Sequence, residues 1–418
     1  MRDFSDEQLY RGHSCRRDIR TEPVQKWADE TRRVFRRHQV GRRRENQKHP
    51  GDCRDPRLEM FNGNHQRRQP MWSRRNTKPL RISPPLHIRT RAPNFQRCRR
   101  MRQAPLAQPI LFQPLFMERI WGGRRLEALY GKRLPPGVPI GESWELVDRP
   151  EAQSVVDNGA WRGRTLHDLW MNEREQVFGA IEEAPRFPVL IKLLDAQEKL
   201  SVQVHPPASA AAEKGGEPKT EFWYVAEAAP AAELYVGLTP ESSRAAFEAA
   251  IANGDAHEHL HRVQVTAGDA MFLPSGRVHA IGAGNVIVEI QQNSDTTYRV
   301  FDWNRTDGSG NPRQLHVEES LRAIDFDDRT PALVEPIGES MVQHPLFHID
   351  KWSLESPREG AGPGQFAAIC CVTGRVECAG ITLNAGGLFL LPASLTERTL
   401  RPLESSTRLL RVTVPAAA

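Results

Sequence analysis

Two short segments of the chain alternate polar and apolar residues with a period of two, which is the repeat of a β-strand. They are SVQVHP (201–206) and KTEFW (219–223). In an extended strand, residues i and i+2 point to the same face, so Gln203 and His205 project together, as do Lys219 and Glu221. We therefore predict two strands, each with a polar face towards a cavity and an apolar face towards a core.

A third segment, GDAMFLPSGRVHA (268–280), adds a histidine in a recognisable spacing. Gly268, Pro274, Gly276 and His279 fit the pattern G-x5-P-x-G-x2-H, the second half of the cupin motif. The glycines permit turn geometry, and the proline ends one strand before the histidine enters the next. The asparagine usual three residues after this histidine is absent, and Asn285 lies six residues on.

Together these segments supply one amide oxygen, two imidazoles and one carboxylate. Gln203, His205, Glu221 and His279 form a nitrogen and oxygen set that suits zinc or a similar divalent ion. Each residue alone is more often structural or solvated, but their joint occurrence favours a metal site. The run HEHLH (257–261) also repeats histidine with a period of two. It follows a predicted helix end, so we expect a structural role there.

The chain from residue 106 onwards predicts mostly strands. The apolar run PVLIKLLDA (188–196) is typical of a buried strand, and short apolar runs separated by turn residues continue to about residue 414. This pattern is typical of an all-β sandwich or barrel. Helices are predicted over 166–178 and 317–324. A further helix is predicted with Thr239 as N-cap, Pro240 in the first turn and Gly254 at the end.

The segments IKLLDAQEKLSVQVHP, KTEFWY, LPSGRVHAIG and NSDTTYRVFDWNR resemble the short bacterial form of type I mannose-6-phosphate isomerase. The resemblance implies a mostly β double cupin, meaning two jelly-roll barrels, with a few accessory helices. A metal-binding catalytic domain would span 106–330, and a second, metal-free barrel would span 331–418. The resemblance also implies zinc-dependent interconversion of mannose 6-phosphate and fructose 6-phosphate through an enediol.

Residue by residue, the resemblance implies one zinc ion per chain, held by the four residues above. It implies Lys219, Asp295 and Arg299 as catalytic residues at the pocket wall, with Lys192 and Ser201 as contacts to phosphate or sugar. The planar guanidinium of Arg299 suits a phosphate. Moving a proton between C1 and C2 needs an acid/base group, whose identity stays open.

The first 105 residues differ in composition from the rest. They hold 28 Lys and Arg against 11 Asp and Glu, whereas the remainder holds 29 against 41. Their apolar residues are sparse and lack a sustained period, so we predict a disordered basic arm. The arm could neutralise nucleic-acid phosphates. The simpler interpretation is a tail without a specific role, or an upstream extension with Met101 as the start, so we expect no nucleic-acid partner.

The cysteines and the hydropathy bear on location. No CxxC pair occurs, which favours reduced thiols. No apolar run reaches the length of a membrane span, and no apolar signal segment begins the chain. We therefore expect a cytoplasmic monomer without a membrane partner. The six cysteines are Cys15, Cys53, Cys98, Cys370, Cys371 and Cys378.

Two alternatives remain open at this stage. One is a non-catalytic cupin that binds a sugar phosphate and acts as a regulator, with the basic arm on nucleic acid. Truncation at Met101 should then abolish a steeply salt-dependent affinity for nucleic acid. The other is an isomerase for a related sugar phosphate, which a substrate panel would separate.

Overall fold

The computed structural model describes residues 106–214, 216–306 and 310–416. The predicted basic arm and its three cysteines lie outside these residues, while Cys370, Cys371 and Cys378 are free and buried. The α-helices are α1 (Arg125–Tyr130), α2 (Leu166–Asn172), α3 (Arg174–Phe178), α4 (Ala208–Lys214), α5 (Arg244–Asn253) and α6 (Val317–Ala323). Short 3-10 turns cover Gly159–Trp161 and Ala256–His259.

The strands of the first half are β1 (Ile110–Leu111), β2 (Leu115–Gly123), β3 (Ile140–Leu146), β4 (Asp148–Arg149), β5 (Ala152–Gln153), β6 (Val189–Ala196), β7 (Val202–Val204), β8 (Glu221–Ala228), β9 (Glu233–Leu238), β10 (Leu260–Gln264), β11 (Ala270–Leu273), β12 (His279–Ile281), β13 (Asn285–Gln292) and β14 (Tyr298–Phe301). Those of the second half are β15 (Ser340–His344), β16 (Phe347–Ser353), β17 (Arg358–Glu359), β18 (Ala367–Thr373), β19 (Arg375–Cys378), β20 (Ile381–Asn384), β21 (Leu388–Leu391), β22 (Thr399–Pro402) and β23 (Arg408–Thr413).

The strands build two barrels with the same connectivity. In the first barrel a six-stranded sheet runs β11-β8-β13-β6-β3-β2 and a five-stranded sheet runs β10-β9-β12-β7-β14. The second barrel repeats nine of these strand positions, with β21-β18-β23-β16-β15 in one sheet and β20-β19-β22-β17 in the other. The predicted mostly β double cupin with a few helices is confirmed. Strand β1 pairs with β21 and so adds a sixth strand to one sheet of the second barrel. The predicted domain limits stay predictions.

The two six-stranded sheets pack back to back through their outer faces. Along β6, Ile191 and Leu193 lie in one apolar cluster with Ile349 of β16 and Leu410 of β23. Leu194 points the other way, into a cluster inside the first barrel. Because β6 is buried on both faces, its sequence reads as the continuous apolar run that predicted a buried strand.

The outer face of the five-stranded sheet is covered by helices. Val202 and Val204 of β7 pack with Phe247 and Ile251 of α5 and with Leu321 of α6. This confirms the apolar outer face predicted for SVQVHP, and it leaves the other face of β7 for the cavity. None of the helices among the described residues is long and apolar enough to cross a membrane.

The helix predictions need two corrections. The helix predicted over 166–178 is two helices, because Glu173 takes a non-helical conformation with φ −124° and ψ 24°. Helix α5 begins after Ser243, whose hydroxyl accepts from the amide of Ala246, so Thr239 is not its N-cap. Thr239 instead contacts the Ser242 hydroxyl at 2.8 Å. Gly254 does end α5, in the left-handed conformation with φ 84°.

Candidate functional site in the first barrel

Three of the four predicted metal ligands meet inside the first barrel. His205 follows β7, Glu221 begins β8 and His279 begins β12, so the three come from the ends of strands in both sheets. One ligand atom from each lies within 4.8 Å of the others. All three side chains are at most 3% exposed. No other cluster of three or more His, Cys, Asp or Glu that could hold a metal occurs among the described residues.

A turn holds the histidine strands together. The amide of Gly276 donates to the carbonyl of His205 at 2.8 Å, which ties the loop before β12 to the end of β7. Gly276 has φ 94°, and an added Cβ would lie 3.2 Å from the Ala323 carbonyl oxygen. Glycine at this position of the motif therefore serves both the turn and the close approach.

Both imidazoles present the nitrogen that a metal needs. Nδ1 of His205 lies 3.0 Å from the Thr296 carbonyl oxygen, and Nδ1 of His279 lies 2.9 Å from that of Arg277. A carbonyl only accepts, so each Nδ1 carries the proton and each Nε2 keeps a free lone pair. Such carbonyl contacts are usual behind metal-bound histidines.

The free lone pairs face a carboxylate. Nε2 of His205 lies 3.2 Å from Oε1 of Glu221, and Nε2 of His279 lies 3.8 Å from Oε2. Among the described residues, Nε2 of His205 and Oε2 of Glu221 are buried without a hydrogen-bond donor, while Oε1 of Glu221 faces the ammonium of Lys219 at 2.6 Å. Acceptors that converge in this way are costly to bury. A cation between them removes that cost, so the residues present fit a divalent metal ion.

The ionisation of the cluster suits the same ion. Burial alone would raise the pKa of Glu221, but Lys219 and His205 outweigh it and hold that pKa well below its ordinary value. Burial, helped by Lys219, lowers the pKa of His205. Burial beside His205 lowers the pKa of His279 to about 3. At neutral pH the cluster is therefore a carboxylate with two neutral imidazoles, the form in which a metal binds.

Gln203 shares the face of this cluster through strand register. It lies opposite His279 of β12 on one side and opposite Arg299 of β14 on the other. Directly opposed residues of paired strands point to the same face. Gln203 is half-buried. Its role as a fourth ligand stays a prediction.

Lys219 lies at the cluster as predicted. Its ammonium is 2.6 Å from Oε1 of Glu221, and its side chain is buried. Lys192, predicted to contact substrate, lies deeper in the same lumen. Its ammonium is 2.9 Å from Oε2 of Glu289, and the pair is 6% exposed on each side. Lys192 therefore reaches the cavity with its charge already paired.

Glu289 was missed by the sequence reasoning. It accepts from the indole nitrogen of Trp223 at 3.1 Å, and Trp223 in turn packs edge-on against His279 with ring centroids 5.2 Å apart. Burial raises the pKa of Glu289, against the opposing charge of Lys192. The available signal was a lone carboxylate within the apolar strand NVIVEIQQ.

Arg299 of β14 lies opposite Gln203 and is close to further arginines. Its Nη1 donates to the Gln314 carbonyl at 2.9 Å. Burial, and then the charge of Arg313, lower its pKa. Arg305 and Arg313 both contact the Asp302 carboxylate. Arg305 also lies 3.8 Å from Glu198, so three guanidinium groups face two carboxylates and leave net positive charge. Sequence reasoning had singled out only Arg299.

The remaining two predicted residues lie at the edge of the site. Ser201 is buried just before β7. Asp295 is exposed in the loop between β13 and β14, outside the buried cluster. The same loop supplies the Thr296 carbonyl that fixes His205.

The HEHLH run is structural, as expected. His257 stacks on Phe301 with ring planes 8° apart, and its ring also lies 5.6 Å from that of Trp303. Nδ1 of His259 lies 3.0 Å from the Ser242 hydroxyl. These side chains join the end of α5 to the barrel.

Comparison with known proteins identifies the family. Residues 110–250 match the family model described as phosphomannose isomerase type I, catalytic domain. Mannose-6-phosphate isomerase ManA of Bacillus subtilis is 40% identical over 256 residues, which cover 59% of this chain and 80% of that protein. The mannose-6-phosphate isomerase of Streptococcus mutans is also 40% identical, covering 60% of this chain and 80% of its own length.

The fold agrees with a solved structure. The crystal structure of the mannose 6-phosphate isomerase from Bacillus subtilis superposes with a TM-score of 0.65 at 34% identity. The superposition covers 73% of this chain and 99% of the chain in that crystal structure. The chain therefore belongs to the type I phosphomannose isomerase family, and it is an aldose–ketose isomerase by that membership.

Proposed function

We propose that the protein interconverts mannose 6-phosphate and fructose 6-phosphate with a metal ion bound in the first barrel. The family membership supports the reaction. The observation that supports the metal is the meeting of His205, Glu221 and His279, where Nε2 of His205 and Oε2 of Glu221 lack a hydrogen-bond donor among the described residues. Zinc is the proposed ion, one per chain, since a nitrogen and oxygen set of this kind is typical of zinc sites.

The reaction is internally balanced. The C2–H bond of the open-chain aldose breaks and a C1–H bond forms, while one hydroxyl proton moves from O2 to O1. An enediol lies between the two sugars, and no external oxidant is required. When bound, the ion supplies positive charge that polarises the oxygens on C1 and C2.

Proton transfer falls to the groups beside the cluster. Lys219, through its contact with Glu221, holds an ammonium where negative charge develops on the sugar oxygens. Glu289 is a buried carboxylate with a raised pKa, which makes it a stronger base than an ordinary carboxylate. Asp295 is exposed in the loop over the site and belongs to the proposed set on the resemblance alone. The pH profiles of single variants at these three positions would separate the base from the positioning groups.

The phosphate end of the substrate is assigned to the arginine wall. Arg299 shares a face with Gln203, and Arg305 and Arg313 add charge that Asp302 only partly balances. A planar guanidinium binds a phosphate through two parallel hydrogen bonds. Ser201 and Lys192 remain proposed contacts to the sugar.

The direct test is a coupled assay for fructose 6-phosphate, with metal analysis of the same sample. We expect activity in the metal-loaded protein, its loss after chelation and its return with Zn²⁺. Undiminished turnover after complete removal of metal would contradict the metal. Bound metal without turnover on any aldose phosphate of a panel would favour the non-catalytic binding protein instead. Cytoplasmic location and the monomeric state remain part of the proposal.

A further inference from the structure

The matching sheet orders of the two barrels place their lumen positions in correspondence. In the first barrel, Lys192 of β6 lies opposite Glu289 of β13, and the two form a buried ion pair. In the second barrel, β16 and β23 hold the corresponding positions, and there Asp350 lies opposite Arg411. Their charged atoms are 2.8 Å apart. The second barrel thus carries an ion pair of reversed polarity where the catalytic barrel has its own.

A cavity opens beside this second ion pair. Its volume is about 710 Å³, within the range of small-molecule sites. Asp350 and Trp352, two residues apart on β16, share its wall with Arg411 of β23. Arg358 and Glu359 of β17 also line it, and β17 corresponds to β7, the strand that carries Gln203 in the first barrel.

The charges of this cavity are balanced in pairs. Arg411 pairs with Asp350, Arg358 pairs with Glu339 through two contacts of 2.6 and 2.7 Å, and Arg398 lies 3.8 Å from Glu359. Because each positive charge already has a negative partner, the cavity has no unpaired cation for a phosphate. It offers alternating hydrogen-bond donors and acceptors, which match hydroxyl groups that can both donate and accept.

The indole of Trp352 forms the floor of the cavity, and the side chain of Arg358 covers it. The guanidinium of Arg358 lies 3.8 Å from the centre of the Trp352 ring, and Trp352 is only 4% exposed beneath it. The Arg358–Glu339 pair is 41% and 50% exposed, so a ligand that reaches the indole must displace a surface pair of two hydrogen bonds and the contact of Arg358 with Trp352. Moving Arg358 would uncover an indole face flanked by charged hydrogen-bonding groups, which suits the apolar face and hydroxyl edge of a sugar ring.

We propose that the second barrel binds a neutral sugar, an unphosphorylated hexose, in the cavity lined by Trp352 and the Asp350–Arg411 pair, in the place that Arg358 occupies over the indole. The ring lies on the indole, and its hydroxyls bond Asp350, Arg411 and Glu359. No metal takes part. This site is independent of the catalytic cluster, so its occupancy does not depend on the proposed isomerase reaction.

The test is calorimetric titration of the full chain with D-mannose after chelation, with saturation-transfer NMR to identify the bound sugar face. We expect a saturable interaction with a dissociation constant of about 1 mM, typical of weak binding near 4 kcal/mol. Asp350→Asn and Arg411→Met should each weaken it at least tenfold. Trp352→Phe should also weaken it, and it keeps the core filled where alanine would open a void.

Matched variants locate the site. Arg375→Ala removes a surface ion pair with Glu404 in the same barrel, away from the cavity, and should leave mannose binding unchanged. His279→Gln should also leave it unchanged. The proposal is overturned by absence of saturable binding, by binding that is insensitive to Asp350→Asn and Arg411→Met, or by binding lost in His279→Gln. Tighter competition by inorganic phosphate than by mannose would make the cavity an anion site and overturn it as well.

Discussion

The two barrels share one strand order and differ in what their lumens hold. The first collects His205, Glu221 and His279, where Nε2 of His205 and Oε2 of Glu221 lack a hydrogen-bond donor among the described residues. The second places Arg358 and Glu359 on the strand equivalent to that of Gln203, and its cavity charges pair off. Connectivity therefore fixes where a site can form, and a few lumen side chains decide whether it binds a cation.

The largest expected effect follows from removing the negative charge of Glu221 between the two histidines of the first barrel. Glu221→Gln keeps the volume but leaves an amide between two imidazoles. We expect loss of bound metal and a fall in kcat/KM of about a thousandfold or more, because metal-ion charge stabilisation is worth several kcal/mol. Metal analysis and the coupled assay measure both. Glu404→Gln, an exposed change in the second barrel, is the control and should leave both values unaltered. Wild-type turnover in Glu221→Gln would remove the contrast between the barrels.

The next effect concerns stability and compares the Lys192–Glu289 pair of the first barrel with the Asp350–Arg411 pair of the second. Lys192→Met leaves Glu289 buried without its partner, and we expect a loss of about 3–5 kcal/mol in the free energy of unfolding. Asp350→Asn breaks the ion pair with Arg411, whose side chains are 22% and 17% exposed, so water can replace the lost contact. The free energy of unfolding should therefore fall by only about 1 kcal/mol. Urea unfolding of both variants compares the pairs. Equal losses would show that the two lumens are equally open to water.

A smaller effect is expected on substrate affinity. Arg299→Lys keeps the positive charge but loses the planar pair of donors, so KM for mannose 6-phosphate should rise about tenfold to a hundredfold, with less change in kcat. Steady-state kinetics measure the split. Arg322→Lys, in an exposed pair with Glu318 on α6, is the matched control. An unaltered KM in Arg299→Lys would move the phosphate site elsewhere in the first barrel.

The smallest effect concerns acid stability where the barrels meet. His344 of β15 packs against Phe272 of β11, with ring centroids 5.3 Å apart. Burial, with His348 adding to it, lowers the pKa of His344 from 6.5 to about 4. The unfolded chain therefore binds a proton that the folded chain refuses between these pH values. Stability from this group is full above pH 6.5 and is lost as the pH falls towards 4.

Replacing this histidine should flatten that dependence. In His344→Gln, the drop in unfolding free energy between pH 7 and pH 4 should be smaller than in the wild type by on the order of 1–2 kcal/mol, allowing for partial exposure. Urea titrations at the two pH values give the comparison. An identical drop in both proteins would place the acid sensitivity in another group.

The sequence predicted those features that depend on local pattern. Period-two alternation placed His205 and Glu221 on lumen faces, and the glycine-proline spacing placed His279. It missed features set by contacts between distant segments. Helix α5 begins after Ser243, whose hydroxyl caps it, while the Thr239 hydroxyl contacts Ser242. Glu289 was recognised as a site residue only from the pairing of β13 with β6 and β8. Strand register across a barrel is not encoded in any one segment.

We expect one ion in the first barrel and none in the second. The most direct test is the metal content of the purified full chain, measured by mass spectrometry alongside the coupled assay. Both measurements are made on the wild type and on the double variant that combines His205→Asn with His279→Gln. We expect one equivalent of divalent metal in the active wild type and none in the inactive double variant. A fully active wild type without metal, or an unchanged equivalent in the double variant, would contradict this expectation.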